Sequence, residues 1–127
     1  MKTFIAALII LSAIVGFVIW NTIDLQKTLG EMLKITEALP MEAKDFKKDG
    51  ETLALVNTLY SLWDQKMGRI VFTGGYDNCN RADEAVSALF IHYHNGNAED
   101  FTLARLILWD SLNRMKMLEG IYLDSIL

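Results

Sequence analysis

His92 and His94 come closest to looking like chemistry in this chain. Two imidazoles share one metal ion when they sit four apart on a helix face, whereas residues two apart point in different directions. The pair therefore does not read as a metal site. His94 falls near the end of a helical stretch, where a cation meets the partial negative charge of the last carbonyls. The acid pairs Asp83-Glu84 and Glu99-Asp100 could serve general acid–base catalysis, but both are expected in first helical turns, facing the positive end of the dipole. Gly74-Gly75 has no Lys-Ser or Lys-Thr after it, so it reads as a helix stop and not a phosphate loop. Ser61, Ser87 and Ser111 fall in helical stretches, outside the strand–turn–helix setting of a nucleophile elbow. Cys79, the single cysteine, permits no internal disulfide and is expected to be a free or buried thiol. No catalytic, cofactor-binding or metal-ligating residue is assigned on this basis, and no enzyme activity is expected.

The elements that would position these side chains are helical. Leu25, Leu29, Met32, Thr36 and Leu39 recur at spacings of four and three, an apolar stripe on one helix. Pro40 ends it, because the residue before a proline is pushed out of the α region, and the proline can stand at or near the start of the next helix. A second stripe runs through Phe46, Leu53, Val56, Tyr60, Trp63, Met67 and Ile70, thickened by Leu55, Leu59 and Leu62. Gly50 weakens that helix by about 1 kcal/mol relative to alanine, so a start at Glu51 is expected. Thr73 and the two glycines stop it. Asn80 with Asp83 has the form of an N-cap with an acid three positions on. Ala82, Ala85, Val86, Leu89 and Tyr93 would be the buried face of that third helix. Asn95-Gly96-Asn97 makes a turn. A fourth stripe, Phe101, Ala104, Leu108, Ser111, Met115 and Leu118 with Leu112 beside it, runs to Gly120, and the tail beyond is expected to pack on the bundle. Ile70-Val71-Phe72 is the best strand candidate, and a weak one. Tyr60, Trp63, Met32, Met67, Met115 and Met117 are expected as core filling; the alternative is an adaptable, Met- and aromatic-lined pocket between helices for a small ligand.

The strongest signal is compositional. Phe4 to Trp20 contains no charged residue, and eleven of its side chains are Phe, Ile, Leu or Val. Seventeen helical residues rise about 26 Å, and extension to Ile23 gives about 30 Å, the thickness of a bilayer's hydrocarbon core. At roughly −0.3 to −0.6 kcal/mol per large apolar residue, insertion is favoured by several kcal/mol. Trp20 stands at the position where an indole prefers the headgroup boundary. A cleaved signal peptide would want small residues near a cut site, and Trp20-Asn21-Thr22-Ile23 has no small-x-small pair. A lipoprotein anchor needs a cysteine at the end of the run, and a buried core helix would be apolar on one face only. The expected organisation is an all-α chain: a membrane anchor over 1–23 continuing into an antiparallel three- to four-helix bundle over 24–127. Lys2 before the run is balanced by Lys27 and Lys34 after it; the short basic start resembles that of an export signal, which puts the C-terminal bundle outside the cytoplasm.

Beyond Lys2 the chain carries eleven bases against sixteen acids, a balance of −5. An acidic surface argues against nucleic acid as a partner, since phosphates require clustered Lys and Arg. It also argues against a polybasic membrane-binding face.

The layout resembles the domain of unknown function 4363 family, short membrane-anchored proteins of Gram-positive, spore-forming bacteria. The likeness lies in Lys2 and the apolar run closing at Trp20, in Trp63 of the long helix, in the acid-flanked stretch from Asp77 to Glu84, and in the ending Glu119-Gly-Ile-Tyr-Leu-Asp-Ser-Ile-Leu127. Ser125 departs from it, standing where asparagine often precedes the final Ile-Leu of that family. The resemblance implies a single-span protein with an extracytoplasmic helical domain working beside another membrane protein; it carries over no functional residue. The expected role is a non-enzymatic accessory or interaction module of the cell envelope, its partners being the lipid bilayer and either a membrane protein or a second copy of itself.

Overall fold

The computed structural model describes residues 1–73 and 76–126; for 67–73, 76, 119 and 122–126 the description stops at the backbone. Among the described residues all regular structure is helical: α1 (Lys2–Ala38), α2 (Gly50–Thr73), α3 (Tyr76–Asn95) and α4 (Ala98–Ile126), with a 3-10 turn at Ala43–Asp45 between α1 and α2. The Ile70-Val71-Phe72 stretch belongs to α2. Helix α1 packs on α2 and α4, and α3 packs on the same two, so the four helices close a ring. Each neighbouring pair runs antiparallel, as shown by Asp24 opposite Lys66, Trp63 opposite Asp83, and Gln26 opposite Lys116. The expected bundle is present, with four helices.

Helix α1 is one unbroken rod with two surfaces. Residues 2–17 are exposed all round, and burial inside the bundle begins with Asn21 and Thr22. Leu25, Leu29, Met32, Leu33 and Thr36 then line its inner face, following the expected stripe. The threonines on this half need no partner from another helix: Thr22, Thr28 and Thr36 each donate their hydroxyl to the carbonyl four residues back, at 2.9, 3.0 and 2.7 Å. That bond satisfies a buried hydroxyl locally. Pro40 stops the helix as expected, with Leu39 extended at φ −74°, ψ 154°. The carbonyls freed there are capped from α4. Arg105 donates through Nε to the Leu39 carbonyl at 3.2 Å and through its guanidinium to the Glu37 carbonyl at 3.3 Å. A cation suits a helix C-terminus on both hydrogen-bonding and dipole grounds.

Pro40 does not open the next helix. The chain passes through the 3-10 turn, where Phe46 sets its ring edge-on against Tyr93 and Phe101, and α2 begins only at Gly50. Its cap is Asp49, whose carboxylate accepts from the Thr52 backbone N–H at 2.7 Å while its carbonyl accepts from Leu53 N–H. The Tyr93 hydroxyl donates to the same Asp49 carbonyl at 3.1 Å. The α3–α4 turn is tight because one asparagine serves both helices. Gly96 takes φ +72°; its N–H reaches the Tyr93 carbonyl and the Asn97 N–H the His92 carbonyl, the paired bonds of a Schellman ending. Asn97 then caps α4, accepting from the Asp100 N–H and donating its amide to the Asp100 carboxylate at 2.8 Å, a reciprocal box at the helix start.

Four expectations are corrected. Helix α3 starts at Tyr76, so Asn80 lies inside the helix and caps nothing, and Asp83-Glu84 fall beyond the first turn. Helix α4 runs through Gly120 to Ile126 instead of ending there. Tyr60 is exposed, stacked on Phe90, and Leu59 takes the core position. Leu118 and Met117 are exposed as well, whereas Met32 and Met115 are fully buried core residues. Met67 and Ile70 lie outside the described side chains.

Two glycines should respond oppositely to alanine. A Cβ at Gly96 forces a non-glycine residue into the left-handed region and should cost about 1–2 kcal/mol. Gly30 is mid-helix, and a Cβ there meets only the Lys116 side-chain end at 3.8 Å; Gly30→Ala should stabilise by roughly 0.5–1 kcal/mol. Urea midpoints of the full-length chain in detergent, at unchanged slope, check both signs.

Candidate functional site

Two features stand out among the described residues: the bare apolar half of α1, and a groove between α3 and α4. The groove has a volume of about 350 Å³ and is lined by Arg81, Glu84, Ala85, Ala88, His92, Asp100, Leu103, Ala104 and Ile107. Its floor is made by three alanines, which let the two helices approach closely and leave a trough above them. Charged groups stand along its rim. Arg81 is tied to Asp110 at 3.7 Å, and Asp110 also accepts from Arg114 at 3.1 Å. Such exposed pairs contribute at most about 1 kcal/mol; their effect is to fix where the rim charges point. The lining contains neither methionine nor Phe, Tyr or Trp, unlike the pocket the composition suggests.

His92 and His94 diverge, as their spacing requires. His92 lines the groove toward α4, while the His94 ring lies against Phe90 at 4.4 Å and Tyr93 at 5.3 Å. The His94 carbonyl, at the end of α3, accepts from the Lys48 ammonium. The described residues contain no group of three or more His, Cys, Asp or Glu that could hold a metal ion. Glu99 and Asp100 do stand in the first turn of α4, with Asp100 held by Asn97. Asp83 accepts from the Trp63 indole N–H at 2.8 Å, which ties α2 to α3 and gives the core tryptophan a polar outlet. Ser111 is fully buried, and its hydroxyl is the one buried side-chain oxygen or nitrogen without a hydrogen-bond partner among the described residues. Cys79 is buried in the core beside Ala82 on the inner face of α3.

The shifted titrations have structural causes. Asp49 is held below the usual carboxylate range, chiefly by the Thr52 backbone N–H and then by the Thr52 hydroxyl; desolvation opposes them, and the charge of Lys47 adds a lesser lowering. Burial pushes the Tyr93 phenol up, with the Asp49 charge acting in the same direction. Burial pushes the Arg105 guanidinium down, opposed by Glu37. Each group serves a helix end at the pole of the bundle remote from the apolar run.

The apolar half of α1 is the larger feature. Among the described residues α1 is the one helix long and apolar enough to cross a membrane, with a mean hydropathy of 2.6 over its best stretch, none of which is buried in the chain. A core helix of the same composition would be covered; this one is bare. A cylinder of helix about 10 Å across and 28 Å long presents on the order of 900 Å² of apolar surface, well beyond the few hundred Å² that soluble monomers expose in one patch. Comparison with known protein families, with curated proteins and with solved structures finds no match.

Two measurements follow. Asp49 has its folded pKa depressed, so its contribution to stability is present above the unfolded carboxylate value and is lost as pH falls through the folded one. Asp49→Asn keeps the cap but should flatten the stability-versus-pH curve below about pH 4, read as thermal midpoints from pH 2 to 6. The Cys79 thiol, shielded in the core, should react with a maleimide at least about 100-fold more slowly in the folded chain than in urea.

Proposed function

We propose that the chain is a single-pass membrane protein whose apolar leader stays in the bilayer and whose bundle is a non-enzymatic accessory or interaction module at the envelope of a Gram-positive bacterium, in the manner of the domain of unknown function 4363 family. The observation that carries this reading is the division of α1: one continuous helix, bare through residue 17 and uncharged from Phe4 to Trp20, then a stave of the bundle from Asn21 on. Such a helix needs lipid for one half and the other three helices for the other. The short basic start before the run supports an orientation with the bundle outside the cytoplasm. Several polar groups of the bundle serve as helix caps and inter-helix ties, Arg105, Lys48, Asp49, Asn97 and Asp83 among them.

The partner surface we assign to the groove between α3 and α4. Its alanine floor and the exposed Leu103 on its edge suit an amphipathic helix laid along it. A second reading rests on the same trough: its volume falls in the range of small-molecule sites, and Arg81, Glu84, His92 and Asp100 offer a few convergent polar groups.

Membrane residence is tested by replacing Ile10 and Ile14 with arginine. At roughly 2.5–3.5 kcal/mol per mid-span charge, the double substitution should move the chain from the carbonate-resistant pellet to the supernatant; an unchanged wild-type chain in the supernatant would sink the proposal. The docking role is tested by crosslinking in native membranes from a photoreactive residue at Ala88. Recovery of a defined protein adduct supports it, lost when Ala104→Trp fills the trough. Monomer alone, together with thermal stabilisation by a small molecule that Ala104→Trp abolishes, would favour the second reading.

A further inference from the structure

The bundle overlaps the apolar run instead of standing clear of it. Phe4 to Phe17 are exposed, but Val18 and Ile19, still within the run, are already half-buried by the rest of the chain. Whatever covers them must lie at the same depth as they do. The register of α1 with α4 identifies one element that does. Leu39 pairs with Arg105, Glu37 with Trp109, and Gln26 with Lys116, so along these antiparallel helices each step down α1 is a step up α4. Carried to its end at Ile126, ten residues and about 15 Å past Lys116, α4 comes level with residues 16–20 of α1. The register of α2, fixed by Lys66 near Asp24 at 3.9 Å, brings its end at Thr73 to a similar level.

Exposed apolar residues occur farther up α4 too, at Leu103 and Leu106, but near that level three gather within five positions: Met117 is 60 % exposed, Leu118 50 % and Ile121 61 %, while Ile23 on α1 is half-exposed. The remaining sequence, Tyr122-Leu123-Asp124-Ser125-Ile126, continues apolar with one charge. An exposed apolar cluster on the end of a helix, level with the boundary of a membrane-crossing segment and continuous with it, has the composition of an interfacial lipid contact.

We propose that the face of α4 carrying Met117, Leu118 and Ile121 is seated in the headgroup layer of the bilayer as a second membrane contact. The bundle thus stands on the membrane without a stalk. This rests on the reading of α1 as a membrane anchor. Lipid is the occupant because the patch adjoins the apolar run and overlaps it in depth. A second copy or another protein covering the same residues is the competing outcome.

The experiment uses the full-length chain with Cys79→Ser, reconstituted in phosphatidylcholine–phosphatidylglycerol vesicles. Single cysteines at Ser12, Leu106, Met117 and Ile121 carry an environment-sensitive fluorophore, read against lipid-phase and aqueous quenchers. Leu106 is the control on the same helix, equally exposed and about 22 Å farther from the bilayer. Lipid-phase quenching at Ile121 and Met117 should be about fivefold stronger than at Leu106 and approach that at Ser12. Quenching at Ser12 with Ile121 and Met117 open to the aqueous quencher overturns this inference and leaves the anchor standing. Protection of both from both quenchers assigns the patch to protein and also overturns it. Absence of lipid quenching at Ser12 overturns the anchor and this inference together. Two independent label sites guard against a single variant that misfolds.

Discussion

One helix carries two surfaces, a bare apolar half and a half buried in the bundle, and the rest of the structure is arranged around that constraint. The inner face of α1 from Asn21 to Leu39 supplies a quarter of the ring that encloses the core, so the bundle has no complete interior without it. The same rod, without a proline between its start and Ala38, continues into the apolar run. Any tilt of the run is therefore transmitted to the bundle as a rigid rotation, since a helix bends sharply only at proline, glycine pairs or inserted side chains. Gly30 is the lone glycine of the buried half, and its surroundings are occupied by Lys116. The bare apolar half and the bundle's first stave belong to one element here, so a change to one is felt by the other.

Polar side chains in the bundle are used where backbone groups would otherwise be orphaned. Arg105 closes the end of α1, Lys48 the end of α3, Asp49 the start of α2 and Asn97 the start of α4. All four act at the pole away from the apolar run. A buried arginine is costly unless every donor finds an acceptor. Arg105 offsets part of that cost by giving its Nε donor and one terminal N–H to two backbone carbonyls at the freed end of α1. The three α1 threonines solve the same problem within their own helix. Ser111 alone is left without an acceptor among the described residues. Its position beside Leu108, Leu112 and Met115 on the buried face of α4 shows a small residue chosen for volume, its hydroxyl carried at an energetic cost of about 1–3 kcal/mol.

What the amino-acid pattern disclosed and what it hid follow from the range of the interactions involved. The α1 stripe, the stop at Pro40 and the Gly96 turn were legible because each depends on residues within four positions of one another. The start of α3 was not. Asn80 and Asp83 have the spacing of a cap, but Asp83 is engaged by Trp63, twenty residues away on α2, and Cys79 before it is already on the buried face. Gly120 reads as a terminator, yet it lies inside α4, where a Cβ would come within 3.1 Å of the Gln26 amide that bonds the Lys116 carbonyl. The end of the Gln26 side chain lies over it, and only the α1–α4 register reveals that. Tyr60 has core spacing within α2, but the ring places the Leu59 direction inward. The groove was illegible for the same reason: Ala85, Ala88 and Ala104 form a floor only once α3 and α4 are side by side.

The spacing along α4 restricts what the groove can bind. Ala104 in its lining and Ile121 near the end of α4 are seventeen residues apart on one continuous helix, about 25 Å of rise. On the proposed seating of Ile121 at the headgroup layer, the trough would stand clear of the bilayer by nearly a hydrocarbon core's thickness. A transmembrane helix of a neighbouring protein could lie against the bare half of α1, but it could not reach Ala88 without leaving the lipid. A partner of both surfaces therefore needs two parts, a membrane segment for α1 and a water-exposed helix for the groove, with a connection long enough to span that distance. Because α1 and α4 are locked together in register by Arg105, Trp109 and Gln26, the separation between the two surfaces is fixed by the fold and not by a linker.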